Sequence, residues 1–227
     1  NFLNSHFLRL NTSMSIHEMR KSYSMAGLAK SDVDADPMVQ FQRWFEEAQQ
    51  PDLPDWMEVN AMTLATADTE GKVTSRIVLL KGIEDGHFCF YTNYESEKGQ
   101  QIAANPQVSL CFLWGHLQRQ VRIEGTVMKS DRSKSIEYFQ SRPRESQLGA
   151  HVSRQSSVID SSRALQEQFS ALELKYDQQE TPCPDHWGGY EVQPTRFEFW
   201  QGRPGRLHDR ICYRQAGEQW QLSRLSP

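Results

Sequence analysis

A change of hydrophobic period near residue 59 is the feature that most constrains the fold of this chain. Before it, apolar residues recur at spacings of three and four, which predicts a helix that begins after Asp36 and ends before Pro51. After it, short segments alternate apolar with polar residues, as the two faces of a β-strand require. The sequence therefore predicts five successive strands, at 59–67, 73–81, 87–93, 107–114 and 119–129.

The connections between these strands are short and rich in turn residues, as in the Glu84-Asp85-Gly86 segment. Such connections favour antiparallel hairpins over the long crossovers of a parallel sheet. Further elements are expected as helices at 95–104, 131–142 and 161–177, and as strands at 187–193, 196–201, 207–215 and 218–224. We expect a mainly β fold, an antiparallel barrel with flanking helices on its outside, in one domain.

Charge and cysteine spacing narrow the function classes. The 227 residues carry 25 Lys and Arg against 29 Asp and Glu, which does not favour a general nucleic-acid binder. Apolar runs stay well short of the roughly 18 residues that a membrane span needs. The four cysteines show no metal-binding spacing and are expected as reduced thiols in a cytoplasmic compartment. Residues 1–18 are expected to be a disordered leader, although a mitochondrial leader stays open.

Standard catalytic signatures for dinucleotides, P-loops, zinc hydrolysis and serine hydrolases are absent from the sequence. Instead, basic residues lie within apolar strands. Arg76 falls in the middle of the strand 73–81 and Lys81 at its end, on opposite faces if the alternation is regular. An inward Arg needs an anion, which is either an internal carboxylate or a bound phosphate.

Two segments add hydroxyl and guanidinium groups. Tyr91 and Thr92 precede a predicted helix, where they indicate either an anion site or an ordinary capping turn. Tyr138 and Arg142 are four residues apart, with Ser146 shortly after them. This second group resembles a phosphate cradle, and its alternative is a solvated, arginine-rich helix end.

Residues 199–210 form the densest cluster. Trp200 supplies an aromatic wall, and Arg206, His208 and Arg210 alternate along a predicted strand, so that all three face one way while Asp209 faces the other. Such a face needs an anion to offset its repulsion, from either a ligand or a neighbouring subunit. Together with the aromatic residues, it indicates a phosphorylated aromatic ligand and a bound cofactor that supplies the chemistry.

The chain also resembles the pyridoxine/pyridoxamine 5′-phosphate oxidase family from about Met19 to Pro227. The resemblance rests on RKSY (20–23), RIVLLK (76–81), FYTN (90–93), RQVRIEG (119–125), YFQSRPRESQLGA (138–150), RQSS (154–157), WGGY (187–190), FEFWQG (197–202) and RLHDR (206–210). It implies an antiparallel split β-barrel of the FMN-binding type that forms a homodimer with two flavin sites at its interface. Residues 19–35 would be a lid, and 187–227 would carry the dimerisation and active-site strands.

The resemblance also implies roles for individual residues. It implies an FMN site of Arg76, Ile77, Val78, Leu79, Lys81, Tyr91, Thr92, Lys98 and Gln120, to which Gln155, Ser156, Trp200 and Arg210 come from the partner subunit. The substrate phosphate would be held by Lys81, Tyr138, Arg142 and Ser146. Arg206 and His208 would be the catalytic residues that face the pyridine ring, and the lid would contribute Arg20, Lys21, Ser22 and Tyr23.

The implied reaction is oxidation of pyridoxamine or pyridoxine 5′-phosphate to pyridoxal 5′-phosphate. Hydride would pass to FMN, which O₂ would reoxidise with release of H₂O₂. One residue departs from the family pattern: Glu97 stands where an Arg usually meets the FMN phosphate. The loss of that charge-assisted hydrogen bond costs roughly 1.5–3 kcal/mol, tenfold or more in FMN affinity, unless Glu97 turns towards solvent.

Other interpretations stay open at this point. One is a weakly active homologue that carries pyridoxal 5′-phosphate, which the departure at Glu97 favours. Another is a flavin reductase, a haem-handling protein or a binding module of the same barrel superfamily. The near-complete set of implied substrate ligands argues against this second group.

Overall fold

The computed structural model describes residues 15–16 and 22–227, which form a curled antiparallel sheet with helices packed around it. The helices are α1 (Pro37–Ala48), α2 (Glu97–Ala104), α3 (Arg132–Ser141), α4 (Arg144–Val152) and α5 (Ser162–Lys175). The strands are β1 (Ala61–Ala67), β2 (Val73–Leu79), β3 (Gly82–Glu84), β4 (His87–Asn93), β5 (Gln107–Trp114), β6 (Arg119–Lys129), β7 (Trp187–Gln201), β8 (Asp209–Ala216) and β9 (Gln219–Arg224). The mainly β fold with flanking helices is confirmed.

The strand order is β2-β1-β5-β6-β7-β4-β3, and β8 and β9 extend the sheet from β7. Strand β7 joins the two parts of the sheet. On one edge of β7, strand β6 pairs along almost the whole length of β7. On its other edge, its first half pairs with β4 and its second half with β8. One strand therefore runs from the region of β4 to the region of β8, and each region carries a group of predicted site residues.

The core lies on the concave side of the sheet and is filled by aromatic side chains. Helix α1 contributes Phe41 and Trp44, both buried, and its first turn is capped by the Asp36 carboxylate, which accepts a hydrogen bond from the Met38 amide. Trp44 meets Phe199 edge to face at 5.2 Å, and Phe41 meets Phe112 at 5.1 Å. This packing fixes α1 against the barrel, as aromatic pairs of this geometry do.

A β-bulge interrupts the pairing of β6 with β7. Glu124 lies opposite Arg196, whereas the next residue, Gly125, lies opposite Pro194, so Thr195 is the extra residue. A side chain at Gly125 would place its Cβ 2.2 Å from the Gln193 carbonyl oxygen, so the close approach requires glycine. The sequence predicted two strands here, and the structure has one bulged strand.

The remaining predicted elements agree with the structure to within a few residues at each end, with two additions. Helix α4 follows α3 after a break at Arg142 and Pro143, and the short strand β3 pairs with β4. All four cysteines are free thiols, as predicted. Among the described residues, no helix combines the length and apolar character that a membrane crossing demands.

Candidate functional site

A cleft of about 920 Å³ opens beside β2, β4 and the loop after α4. Most of the residues predicted to bind a cofactor or a phosphate line it. They are Arg76, Ile77, Val78, Leu79, Lys81, Tyr91, Thr92, Lys98, Tyr138, Arg142, Ser146, Gln155 and Ser156. The fold thus brings together residues from four separate segments of the chain.

Lys81 reaches this cleft because β2 ends at Leu79. Regular alternation would have placed Lys81 on the face opposite to Arg76. Beyond the strand end that constraint no longer applies, and both cations line the same cleft. Lys81 therefore lies just past the strand end, in the same cleft as Arg76.

Arg76 and Lys98 are cations without carboxylate partners in the part of the chain that the structure describes. The Arg76 guanidinium donates to the Leu64 carbonyl oxygen at 3.2 Å and to Thr66 Oγ1 at 2.7 Å. Lys98 Nζ is buried and donates to Gln155 Oε1 at 2.8 Å. Burial lowers the pKa of Lys98 to about 8, because the charged form loses water. These contacts satisfy hydrogen bonds, and the charge of nearby Glu97 acts against burial to raise the pKa of both cations without an ion pair to either.

The start of α2 carries a side-chain cap. The Ser96 side chain accepts a hydrogen bond from the Gly99 amide at 3.4 Å and so caps the helix itself. A capping turn is therefore present, and Thr92 beside it also lines the cleft. Glu97, in the first turn of α2, lines the cleft with an exposed side chain and forms no ion pair with a described residue.

Arg142 lies just after the end of α3, with its guanidinium over the ring of Trp187 at 4.6 Å. Its Nη1 is buried and has no hydrogen-bond partner among the described residues. Burial also lowers the pKa of this guanidinium from its usual value. Since a buried, unpaired cationic donor is costly, the geometry calls for an acceptor from outside the chain.

Stacked rings form the wall beside Arg142. Tyr91 and Tyr138 stack at 3.9 Å with 20° between their planes. Tyr91 stacks on Trp187 at 5.6 Å, and burial raises the pKa of Tyr91 to about 12, so its hydroxyl stays protonated. Trp187 was missed as a site residue. Its position in WGGY, at the start of a predicted strand, was its signal.

A second cluster lies outside the lining of this cleft. Trp200 and His208 have ring centroids 4.6 Å apart, and Tyr23 packs edge-on to His208 at 5.4 Å. A Cβ at Gly202 would lie 2.6 Å from Tyr23 Cδ1, so only glycine leaves room for the ring. Ser22 is exposed, whereas Arg20 and Lys21, predicted for the same lid, lie outside the described residues.

The prediction that Arg206, His208 and Arg210 alternate along one strand is wrong for the first two. Strand β8 begins only at Asp209, and Arg206 ends a 3₁₀ turn with a φ of 64°. The Gly202-to-Gly205 segment forms a tight turn that delays the strand. His208 instead accepts a hydrogen bond at Nδ1 from the Arg203 amide, at 3.1 Å. This bond leaves the proton of a neutral ring on Nε2.

Arg210 is neutralised within its own chain. Its guanidinium donates to Glu198 Oε1 through Nε and Nη2, both at 2.8 Å. Glu198 is only 2% exposed and also accepts from Arg196 Nη2 at 2.9 Å. The sequence had indicated an anion from a ligand or a neighbouring subunit. The sequence analysis did not single out Glu198, although an acidic residue between the two phenylalanines of FEFW could have indicated it.

Two further placements differ from what the resemblance implied. Gln155 and Ser156 were expected to come from the partner subunit, yet they line the cleft of their own chain. Gln120 was grouped with the cleft residues, yet it lies on β6 directly opposite Trp200 on β7. Neither Gln120, Trp200, Arg206, His208 nor Arg210 is among the cleft-lining residues.

The fold and the two clusters define a class of protein: a split β-barrel whose cleft is lined by stacked aromatic rings and by cations that form no ion pair with a described residue. Such a cleft suits a compound with a flat ring and an anionic group. The chain belongs to the pyridoxamine 5′-phosphate oxidase family, whose model matches residues 22–176. A second model, of the pyridoxine 5′-phosphate oxidase C-terminal dimerisation region, matches residues 187–227 and supports a homodimer.

Relatives share this assignment. A pyridoxine/pyridoxamine 5′-phosphate oxidase of Rhodopirellula baltica is 58% identical over 92% of this chain and 96% of the relative. One of Cyanothece sp. is 50% identical over 95% of this chain and 100% of the relative. The crystal structure of PhzG from Burkholderia lata, in complex with tetrahydrophenazine-1-carboxylic acid, matches with a TM-score of 0.83 at 25% identity, over 91% of this chain and 100% of that one.

Proposed function

We propose that this chain oxidises pyridoxamine 5′-phosphate and pyridoxine 5′-phosphate to pyridoxal 5′-phosphate, with FMN as its cofactor. The observation that carries the proposal is the buried Arg142 Nη1 without a partner, beside the Tyr91–Tyr138 stack. That pairing of a free guanidinium donor and an aromatic wall matches a phosphorylated pyridine. The names of relatives at 50–58% identity support the same substrates.

The cleft fits FMN because it offers two cations, half-buried Arg76 and buried Lys98, that form no ion pair with a described residue. We propose that Arg76 and Lys98 hold the FMN phosphate, with Thr92 and Gln155 beside Lys98 as further polar contacts. The segment Ile77 to Leu79 lines the same cleft and would flank the flavin ring. When bound, FMN would supply the hydride acceptor that O₂ reoxidises with formation of H₂O₂.

The substrate phosphate would be held by a different part of the same cleft. Arg142 would donate from Nη1, and Lys81, Tyr138 and Ser146 would add a charge and two hydroxyls. Guanidinium and hydroxyl donors in this arrangement match the oxygens of a phosphate monoester. Binding there would fix the distance of the pyridine ring from the flavin and so align the reacting atoms.

The cluster around Trp200 would complete the cleft of a second copy. In its own chain this cluster lies outside the cleft, yet it falls within residues 187–227, which match the dimerisation region. We propose that Trp200 and Arg210 approach the cofactor of the partner subunit, with Gln120 beside them. The homodimer would then have two sites, each built from both subunits.

His208 and Arg206 would act on the substrate in that shared site. Because the Arg203 amide occupies His208 Nδ1, the Nε2–H is the group left to contact the substrate. Arg206 is exposed on a turn and carries a charge that would orient the substrate ring. Both residues would hold the substrate and manage its proton, which is a general acid–base role. We place this activity in the cytoplasm, in line with the four free thiols.

The test is an absorption spectrum of the protein reconstituted with FMN, recorded before and after pyridoxamine 5′-phosphate is added without oxygen. We expect a flavin band that bleaches, and pyridoxal 5′-phosphate as the product. A protein that binds FMN tightly but keeps its band with either substrate contradicts the proposal.

A second candidate function, a carrier of pyridoxal 5′-phosphate with weak turnover, is favoured by Glu97 alone. Its carboxylate lines the cleft that would hold the FMN phosphate. The carrier predicts tight pyridoxal 5′-phosphate binding and no bleaching even at saturating FMN. The same cuvette therefore distinguishes the two functions.

A further inference from the structure

Residues 22–29, here called the strap, dock on the β5–β6 connection at Gln118 and on the β7–β8 connection at Arg203. The amides of Ser24 and Met25 both donate to Gln118 Oε1, at 3.0 and 3.3 Å. The Met25 carbonyl oxygen accepts from Arg203 Nη1 at 2.9 Å. The backbone of the strap is therefore held by side chains from elsewhere in the fold.

Asp209 is the charged centre of this docking. It is 6% exposed, and its Oδ2 accepts from the Leu28 amide at 2.9 Å and meets Arg203 Nε at 3.4 Å. Its Oδ1 accepts from Arg224 Nη2. Arg224 also donates from Nη1 to the Leu28 carbonyl oxygen at 3.3 Å, so both backbone groups of Leu28 are engaged.

The same carboxylate is linked to His208 through Arg203. The Arg203 side chain contacts Asp209, and its amide donates to His208 Nδ1. On the strap side, Tyr23 packs edge-on against both His208 and Trp200, at 5.4 and 5.6 Å. The strap and the ring of His208 are therefore both fixed by contacts that converge on one buried carboxylate.

We infer that Asp209 is a positioning residue for the oxidase reaction, which couples docking of the strap to the orientation of His208 and Tyr23. The inference rests on the proposed function, since it gives His208 a substrate to face. Asp209 itself is buried beneath the turn and contacts Leu28, Arg203 and Arg224. Loss of its charge would free the strap and the turn together, because both depend on hydrogen bonds to this one group.

The test compares Asp209→Asn with the exposed control Asp177→Asn in the FMN-loaded protein. Asn keeps an acceptor for the Leu28 amide but loses the charge that faces two guanidinium groups. We expect KM for pyridoxamine 5′-phosphate to rise about tenfold, with the FMN dissociation constant near that of the parent and a lower melting temperature, because the buried group loses its charge opposite two guanidinium groups. Amide hydrogen exchange at Ser24, Met25 and Leu28 should accelerate about tenfold. The control should change none of these values.

A double mutant separates positioning from a general structural role. In a Tyr23→Ala background, Asp209→Asn should change KM clearly less than in the parent, because the Tyr23 contact is already lost and only the link to His208 through Arg203 remains. An equal tenfold effect in both backgrounds, or unchanged exchange in the strap, overturns the inference.

Two other results are also decisive. If the parent shows no oxidase turnover, the proposed function fails, while exchange in the strap still reports whether Asp209 docks it. If Asp209→Asn does not fold, Gln118→Ala takes its place. This variant should accelerate exchange at Ser24 and Met25 and raise KM, and no change in either quantity overturns the coupling.

Discussion

Two groups of arginine and lysine residues differ in how their charges are compensated. In the cleft, Arg76, Lys98 and Arg142 make no ion pair with any residue that the structure describes. In the cluster beyond β7, Arg210 is paired with buried Glu198, and Arg224 with buried Asp209. Among the described residues, the second group therefore has ion-pair partners and the cleft group has none.

This difference in charge compensation indicates that the cleft group binds ligands, whereas the paired group positions neighbouring segments of the chain. A buried cation without a partner destabilises the empty protein. Binding of an anion in the cleft therefore stabilises the folded protein. A paired cation already has its charge offset, and its role is to hold neighbouring segments in place. Ligand anions should therefore act mainly on the cleft group, and loss of a carboxylate mainly on the second group.

The largest effect is expected for Glu198→Ala. It leaves three arginines facing one another, and we expect the free energy of unfolding to fall by about 3 kcal/mol, as when a buried ion pair loses one partner. Urea unfolding measures this change, with the exposed Glu218→Ala as control. A loss below about 1 kcal/mol would remove the distinction between the two groups.

Arg142→Met should have the opposite profile. The free energy of unfolding should stay the same or rise, because an unpaired buried donor is removed. KM for pyridoxamine 5′-phosphate should rise about 10- to 150-fold, the equivalent of a lost charge-assisted hydrogen bond. Steady-state kinetics and urea unfolding measure both, with the exposed Arg163→Met as control. A destabilised variant with an unchanged KM would place Arg142 with the paired group.

Lys98 should make FMN binding depend on pH. Its pKa is lowered to about 8 in the empty cleft, so the lysine loses its proton as the pH rises through that value. The FMN dissociation constant should increase by up to about tenfold for each pH unit above 8, because binding then requires uptake of a proton. Fluorescence titrations from pH 7 to 9.5 measure this, and Lys98→Arg should give a flat profile.

The same group should act on the empty protein in the opposite sense. Between pH 8 and the usual lysine value of 10.5, the unfolded chain binds a proton that the folded chain lacks. The free energy of unfolding should therefore rise with pH across this window relative to Lys98→Arg. A fall in the same comparison would show that Lys98 has an anionic partner in the empty cleft.

Glu97→Arg should have the smallest effect. It replaces the one carboxylate that lines the cleft and should lower the FMN dissociation constant about tenfold, the lower end for a charge-assisted contact because the side chain is exposed. Glu95→Arg, an exposed neighbour that does not line the cleft, is the control. An unchanged dissociation constant would show that Glu97 faces solvent and leaves the phosphate undisturbed.

Much of the fold could be predicted from the sequence because its signals are local. Strands β4, β5 and β6 have the predicted bounds, since alternation and turn residues mark each end. The bulge at Thr195 could not be predicted, because it depends on how close Gly125 comes to the backbone of a distant strand. The same holds for the start of β8, which the tight turn before it delays.

The site was predicted unevenly for the same reason. Arg76 stood out as a cation within an apolar strand, Arg142 as part of a group of hydroxyl and guanidinium residues, and the resemblance added Lys98. Which cations were compensated could not be predicted, since Glu198 and Arg122 become neighbours only when β6 and β7 pair. The shared contacts of Asp209 likewise join three segments that are far apart in the chain.

The bulge at Thr195 also sets a limit on how this protein can change. Before it, Tyr190 and Val192 are buried, both even-numbered, and after it the buried pair is Phe197 and Phe199, both odd-numbered. Deletion of Thr195 alone would remove the extra residue and leave simple alternation, with Tyr190 and Val192 still on the same face as Phe197 and Phe199. Loss of a residue within the second half of β7, such as Glu198, would instead turn Phe199 out of the core. Deletion of Thr195 should therefore be tolerated better than deletion of Glu198, although it removes the local bend of the bulge.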